Sequence, residues 1–304
     1  MRAVEILASE QLATFAAGRT PLPANWASRA LYTGASGAVR WLDLVHEPSY
    51  PLRDPHTFGL LEMRFAALDG LTVESFVSLG PGDGELDLAL AASLQGARQR
   101  AGLKYIPVDL SSWLLKATIA HLESVVEIPV ALQCDFETDH RFLRGALRPY
   151  APCPRLFCLL GGTLGNLDLG EASFFQGLRE VLDQGDYFLL DVPLAGPGWS
   201  AADEPRLKPQ AYTTAFRRFL GVAPDAAFEQ QVALTQHRDE QTGAEVITVS
   251  QRAAERPLLL FRRYRWQPIL GWLREQGFDM RFALASLTGD QDKFGMGVVL
   301  LFRS

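Results

Sequence analysis

Four short stretches of this 304-residue chain place chemically capable residues close together. Gly80-Pro81-Gly82-Asp83-Gly84-Glu85 has three alternate glycines, which let a backbone approach a ligand closely at the start of a helix. A dinucleotide fingerprint, G-x-G-x-x-G, would need its third glycine at position 85, which is Glu85. Asp109 offers a carboxylate that either accepts from the two hydroxyls of a ribose or caps the helix after it. Cys134-Asp135-Phe136 sets an acceptor beside a ring, which suits an adenine, although a place in the core explains Phe136 equally well. Gly161-Gly162-Thr163-Leu164-Gly165-Asn166 offers glycines for a ligand to lie against and an amide that can point at a substrate.

Each stretch falls at the end of an expected strand. SFVSLG (75–80), KYIPVDL (104–110), EIPVALQCDF (127–136), PRLFCLLGGT (154–163) and DYFLLDVP (186–193) read as buried strands. Helical patterns lie between them, including SSWLLKATIAHLESV with a serine N-cap and GEASFFQGLREVLDQG with a glycine stop. Strands alternating with helices predict a parallel sheet covered on both faces, with ligands bound beyond the carboxyl ends of its strands. The chain closes on a helix, QPILGWLREQGF, and two apolar runs, MRFALASLTG and GMGVVLLFR, that read as an antiparallel hairpin. Residues 1–60 and 195–265 break the alternation and are expected to form a smaller substrate lobe, leaving 61–194 and 266–304 as the ligand-binding domain.

Composition sets the outer limits. Hydrophobic residues make up 48% and charged residues 21%, which excludes a disordered or fibrous chain. The net charge of −6 gives no electrostatic reason to expect nucleic acid or a membrane surface as a partner. Three cysteines and five histidines show no metal-binding spacing, so no metal is expected, and the cysteines read as reduced core residues. The start lacks the apolar stretch of a secretion signal, and no apolar run nears the roughly 18 residues that span a bilayer. A cytoplasmic protein acting on a small molecule is the expectation. Two arginine-rich clusters, around Arg206–Arg218 and Arg252–Arg265, are either solvated faces or grips for an acidic group.

Taken together, the glycine turn, the acid after the second strand, Asp-Phe after the third and the closing hairpin describe an α/β class I methyltransferase. Such an enzyme is expected to have a Rossmann-like sheet of seven strands whose last hairpin is antiparallel, and to use S-adenosylmethionine, leaving S-adenosylhomocysteine. The stretches 76–82, 106–111, 134–136 and 160–167, with Leu31-Tyr32-Thr33-Gly34 and Glu47-Pro48-Ser49-Tyr50-Pro51-Leu52-Arg53 upstream, resemble one family more closely. It is that of the histidine-specific Nα-methyltransferases of ergothioneine biosynthesis, which includes fungal dimethylallyltryptophan N-methyltransferases. The resemblance implies cofactor contacts from Tyr50, Gly80, Gly82, Asp109, Leu110, Asp135, Phe136, Gly161, Gly162 and Thr163. It implies catalytic roles and substrate contacts for Tyr32 and Asn166, while Ser49, Arg206 and Arg263, near positions where that family binds its substrate, are this chain's own candidate substrate contacts.

The departures fall where that family binds its substrate. Ser49 stands where the motif has a tyrosine, and the family's Glu-x-Ser-x-Lys-Tyr grip on an imidazole corresponds best to Phe261-Arg262-Arg263-Tyr264-Arg265-Trp266. With the acid and the serine gone, an amino acid or amine other than histidine is the expected acceptor. Histidine itself, a dinucleotide-dependent oxidoreductase and a catalytically silent cofactor-binding subunit are the alternatives.

Overall fold

The computed structural model describes residues 4–16, 27–48, 50, 65, 68, 70–96, 102–200, 204, 213–222, 228–253, 256–288 and 293–304. Strands β1 (Ile6–Ala8), β2 (Ser75–Leu79), β3 (Lys104–Asp109), β4 (Ala131–Gln133), β5 (Arg155–Leu159), β6 (Tyr187–Ala195), β10 (Asp279–Thr288) and β11 (Phe294–Phe302) build one sheet. Its order is β1-β4-β3-β2-β5-β6-β11-β10, with β11 antiparallel to both neighbours and the other pairs parallel. The direction of winding reverses between β2 and β5, and the carboxyl ends there open the crevice where such sheets bind ligands.

The apolar runs follow from burial on both faces. All five residues of β2 and all five of β5 are buried. Val77 and Leu79 of β2 enter one core with Ile106, Phe157 and Leu190, while Phe76 enters a second with Tyr105, Leu156 and Leu189. The expected seven strands are therefore eight, because β1 pairs with β4 at the edge, inside the stretch assigned to the lobe. A three-residue strand has too short a period to distinguish from a loop in sequence. The expected long third strand shrinks to β4, since Pro129 brings no N–H to a ladder. Cys134 and Cys158 are buried, but Cys153 is exposed, against the expectation of three core cysteines.

A smaller unit sits over the crevice. Helix α3 (Gly34–Val45) packs on α8 (Thr213–Leu220), with α1 (Glu10–Ala16) and α2 (Ser28–Leu31) preceding it in the chain. The sheet-covering helices α4 (Glu85–Gly96), α5 (Ser112–Leu122), α6 (His140–Leu147) and α7 (Glu171–Val181) come between them in sequence, followed after α8 by α9 (Phe228–Gln231) and α10 (Trp266–Arg274). Strands β7 (Val232–Arg238), β8 (Glu245–Gln251) and β9 (Arg256–Arg263) form a separate antiparallel sheet. Leu44 of α3, Phe216 and Phe219 of α8, and Ile247, Val249 and Phe261 of this sheet share a third apolar core, on which Tyr32, Trp41 and Tyr50 pack. Among the described residues, no helix is long and apolar enough to cross a membrane.

Phe216 is 2% exposed at the centre of that third core. Phe216→Ala is expected to destabilise the protein by about 3–5 kcal/mol in chemical denaturation, the usual cost of deleting a buried phenyl ring. A loss below about 1 kcal/mol would show that this third core is loosely packed.

Candidate active site

One cavity opens at the carboxyl ends of β2, β3, β4 and β5. The turn after β2 forms its floor. Gly80 and Gly82 have φ of 70° and 64°, a region that side chains with a Cβ avoid. A methyl at Gly82 would also overlap the Trp41 ring, so glycine there lets α3 lie directly over the turn. A methyl at Gly80 would meet Phe136 Cε1 at 3.6 Å and Thr163 Cγ2 at 3.8 Å, which brings three of the expected cofactor positions to one point.

Asp109 lies on the cavity wall with Leu110 beside it. Its Oδ1 accepts from the Ser111 N–H at 2.7 Å, and Ser111 Oγ in turn caps α5 through the Leu114 N–H at 3.4 Å. Capping thus falls to Ser111, and Asp109 keeps acceptor capacity for hydroxyl donors. Burial pushes its carboxyl up to about 7, with the Ser111 N–H opposing the shift. Asp87, also on the wall, is raised to about 7 by burial although Tyr105 Oη donates to it at 2.5 Å.

Asp135 is more heavily engaged than the sequence suggested. Arg29 Nη1 pairs with its Oδ2, Thr138 Oγ1 donates to the same oxygen at 2.9 Å, and the Glu137 N–H donates to Oδ1 at 3.0 Å. Burial raises its pKa, and Arg29 pulls it back down. Phe136 lines the cavity and meets Phe174 edge-on at 6.1 Å, so it has a core face as well as a cavity face.

The loop after β5 is held from beneath. Asp191 of β6 accepts from the Gly161 N–H at 2.7 Å and the Gly162 N–H at 2.9 Å. This pins two consecutive left-handed glycines, with φ of 80° and 74°, and sets the 3-10 turn Thr163–Asn166 in place. Burial pushes the Asp191 carboxyl up to about 7, against the two amides. Gly161, Thr163 and Asn166 line the cavity, whereas Gly162 stands behind it. Asn166 Oδ1 is buried with no hydrogen-bond partner among the described residues. Such an orphan costs about 1–3 kcal/mol unless a ligand donor meets it. Tyr32, Trp41 and Tyr50 close the lobe side of the cavity.

Two expected substrate residues, Ser49 and Arg206, lie outside the described residues. Arg263 is not brought to the cavity: Nε and Nη2 bind Glu204 at 3.0 and 3.1 Å. Its neighbours are equally occupied, with Phe261 in the lobe core, Arg262 bound to the Leu167 carbonyl at 2.6 Å, and Tyr264 on Glu171. Arg29, Trp41, Asp168 and Asp191 carry much of the site and were not legible as functional residues.

The geometry fits S-adenosylmethionine. A glycine turn without Cβ atoms, a buried carboxylate with acceptor capacity for hydroxyls and an aromatic ring line one cavity. A family described as histidine-specific, S-adenosylmethionine-dependent methyltransferase matches residues 16–201. No curated protein sequence matches the chain. Among solved structures, an S-adenosylmethionine-dependent methyltransferase from Clostridium acetobutylicum aligns at 13% identity over 86% of this chain and 98% of that one, with a TM-score of 0.46. The N-methyltransferase NodS from Bradyrhizobium japonicum, bound to S-adenosylhomocysteine, aligns at 8% identity over 89% and 99%, with a TM-score of 0.48. The glycopeptide N-methyltransferase MtfA, bound to S-adenosylmethionine, aligns at 16% identity over 84% and 100%, with a TM-score of 0.41.

Asp109 makes the cofactor assignment testable by pH. Its carboxyl is raised to about 7 in the free protein, and hydroxyl donors would favour the ionised form. Affinity for S-adenosylhomocysteine is therefore complete above pH 7 and falls as pH drops through 7. Asp109→Ala should weaken binding by about 1.5–3 kcal/mol in calorimetry, and Asp109→Asn should flatten this residue's share of the pH dependence. Unchanged affinity in a folded variant would remove Asp109 from the cofactor site.

Proposed function

The chain belongs to the histidine-specific, S-adenosylmethionine-dependent methyltransferase family, and from that premise we propose that it methylates the nitrogen of an amino acid or amine other than histidine. When bound, the cofactor supplies a methyl group already activated on a sulfonium, so the protein's task is alignment and exclusion of water. We take this to be a small-molecule reaction in the cytoplasm.

The orphaned Asn166 Oδ1 is the observation that carries the reading. An oxygen that lacks a donor selects an acceptor molecule that brings one, and an amine N–H is such a group. Accepting that hydrogen bond orients the nitrogen and leaves its lone pair for attack, provided the amine is neutral at that moment. Tyr32, Trp41 and Tyr50 on the same cavity favour an acceptor with an aromatic portion. Arg263, expected to grip an acidic portion, is taken up by Glu204.

The case against histidine rests on where the matching stretch lies. An imidazole needs polar partners for both ring nitrogens, and Phe261, Arg262 and Arg263 are occupied in the lobe core, on Leu167 and on Glu204. Histidine remains the second reading, because the family's description names it and both Tyr32 and Asn166 line the cavity.

A steady-state assay with methyl-labelled cofactor separates the two readings. An aromatic amine or amino acid should exceed histidine by about 100-fold or more in kcat/KM. Efficient methylation of free histidine would overturn this substrate assignment. Tight S-adenosylhomocysteine binding with no turnover across a broad amine panel would point instead to a silent cofactor-binding subunit.

A further inference from the structure

Arg29 sits where the cofactor side and the acceptor side of the cavity meet. It belongs to α2, whose C-cap is Tyr32. Its Nη1 pairs with Asp135, and its Nε donates to Asp168 Oδ2 at 3.1 Å, with Glu137 Oε1 at 3.7 Å. All four side chains are buried. Asp168 also accepts from the backbone N–H groups of Ala27, Ser28 and Arg29, at 3.1, 2.9 and 3.1 Å. Glu137 accepts from the N–H groups of Asp168 and Leu169, at 3.2 and 2.8 Å.

These contacts join three places that sequence keeps far apart. Asp135 follows β4 on the cofactor side, Asp168 lies two residues beyond Asn166, and α2 carries Tyr32. A guanidinium can span two carboxylates at once because its donors form a rigid planar fork. The ammonium of lysine is a point charge and cannot reproduce that span.

We propose that Arg29 is a positioning residue that couples the two ends of the cavity: a cofactor held at Asp135 stiffens, through the guanidinium and Asp168, the segment that carries Tyr32. The coupling does not depend on which amine is the acceptor. It does rest on the assignment of Asp135 to the cofactor side.

Hydrogen exchange on the full chain, with and without saturating S-adenosylhomocysteine, tests it, with calorimetry alongside. In the native protein the ligand should slow exchange across residues 27–32 by about threefold or more, since those amides include the three that Asp168 holds. In Arg29→Lys the ligand should still bind within about tenfold of native affinity, yet the slowing should be lost. Arg29→Met should behave the same way, and if it does not fold, Arg29→Lys decides. Asp168→Asn cuts the bridge at its other end and should give the same loss. Slowing that persists in these variants, or is missing from the liganded native protein, overturns the coupling. Unchanged ligand affinity in Asp135→Asn would instead overturn the assignment of Asp135, so the two failures are distinguishable.

Discussion

The lobe side of the cavity depends on one carboxylate, Asp168. The first backbone N–H groups of any helix lack partners within the helix, and the N-cap position of α2 is Ala27, which has no side chain to supply one. Asp168, about 140 residues away, accepts from three of these groups in succession and also from the Arg29 guanidinium. A four-residue helix has little stability of its own. Its position, and with it that of Tyr32, is therefore set by the loop that carries Asn166. The lobe reinforces this arrangement through the Ser28 hydroxyl, which bonds to the backbone of Leu260 in β9.

The same crevice concentrates buried acid. Asp87, Asp109, Glu137 and Asp191 are each pushed up to about 7 by burial, and each is partly countered by an N–H or O–H donor. Their duties differ. Asp191 fixes the glycine pair beneath the cavity, and Glu137 fixes the backbone at Asp168 and Leu169. Asp109 keeps acceptor capacity facing a ligand.

Much of the sheet was legible because both of its faces are buried. Runs such as SFVSL and RLFCL have no solvent face to interrupt them, and the glycines that end them mark the ligand side. The edge strand β1 is hidden by its length, and β9 by the arginines at its two ends, Arg256, Arg262 and Arg263, which read as part of a charge cluster. Gly80, Asp109, Phe136 and Asn166 stand out in the sequence as ligand-capable residues at strand ends, with a helix cap for Asp109 and a core place for Phe136 read equally well there, and all four line the cavity. Arg29 and Trp41 gave no local signal. Their roles come from pairing with Asp135 and Asp168, and from lying on Gly82, across separations no short motif spans. Arg263 was misleading for the opposite reason: a cation near a matched motif looked available until Glu204 was seen to hold it.

The central claim is that one cavity holds the cofactor and that its two ends are joined by buried ion pairs. A crystal structure of the chain with S-adenosylhomocysteine tests this most directly. The account predicts the adenosine between the Gly80–Gly82 turn, Asp109 and Phe136, with Arg29 still bridging Asp135 and Asp168. Ligand bound elsewhere, or bound in the crevice with Arg29 displaced from Asp168, would contradict it.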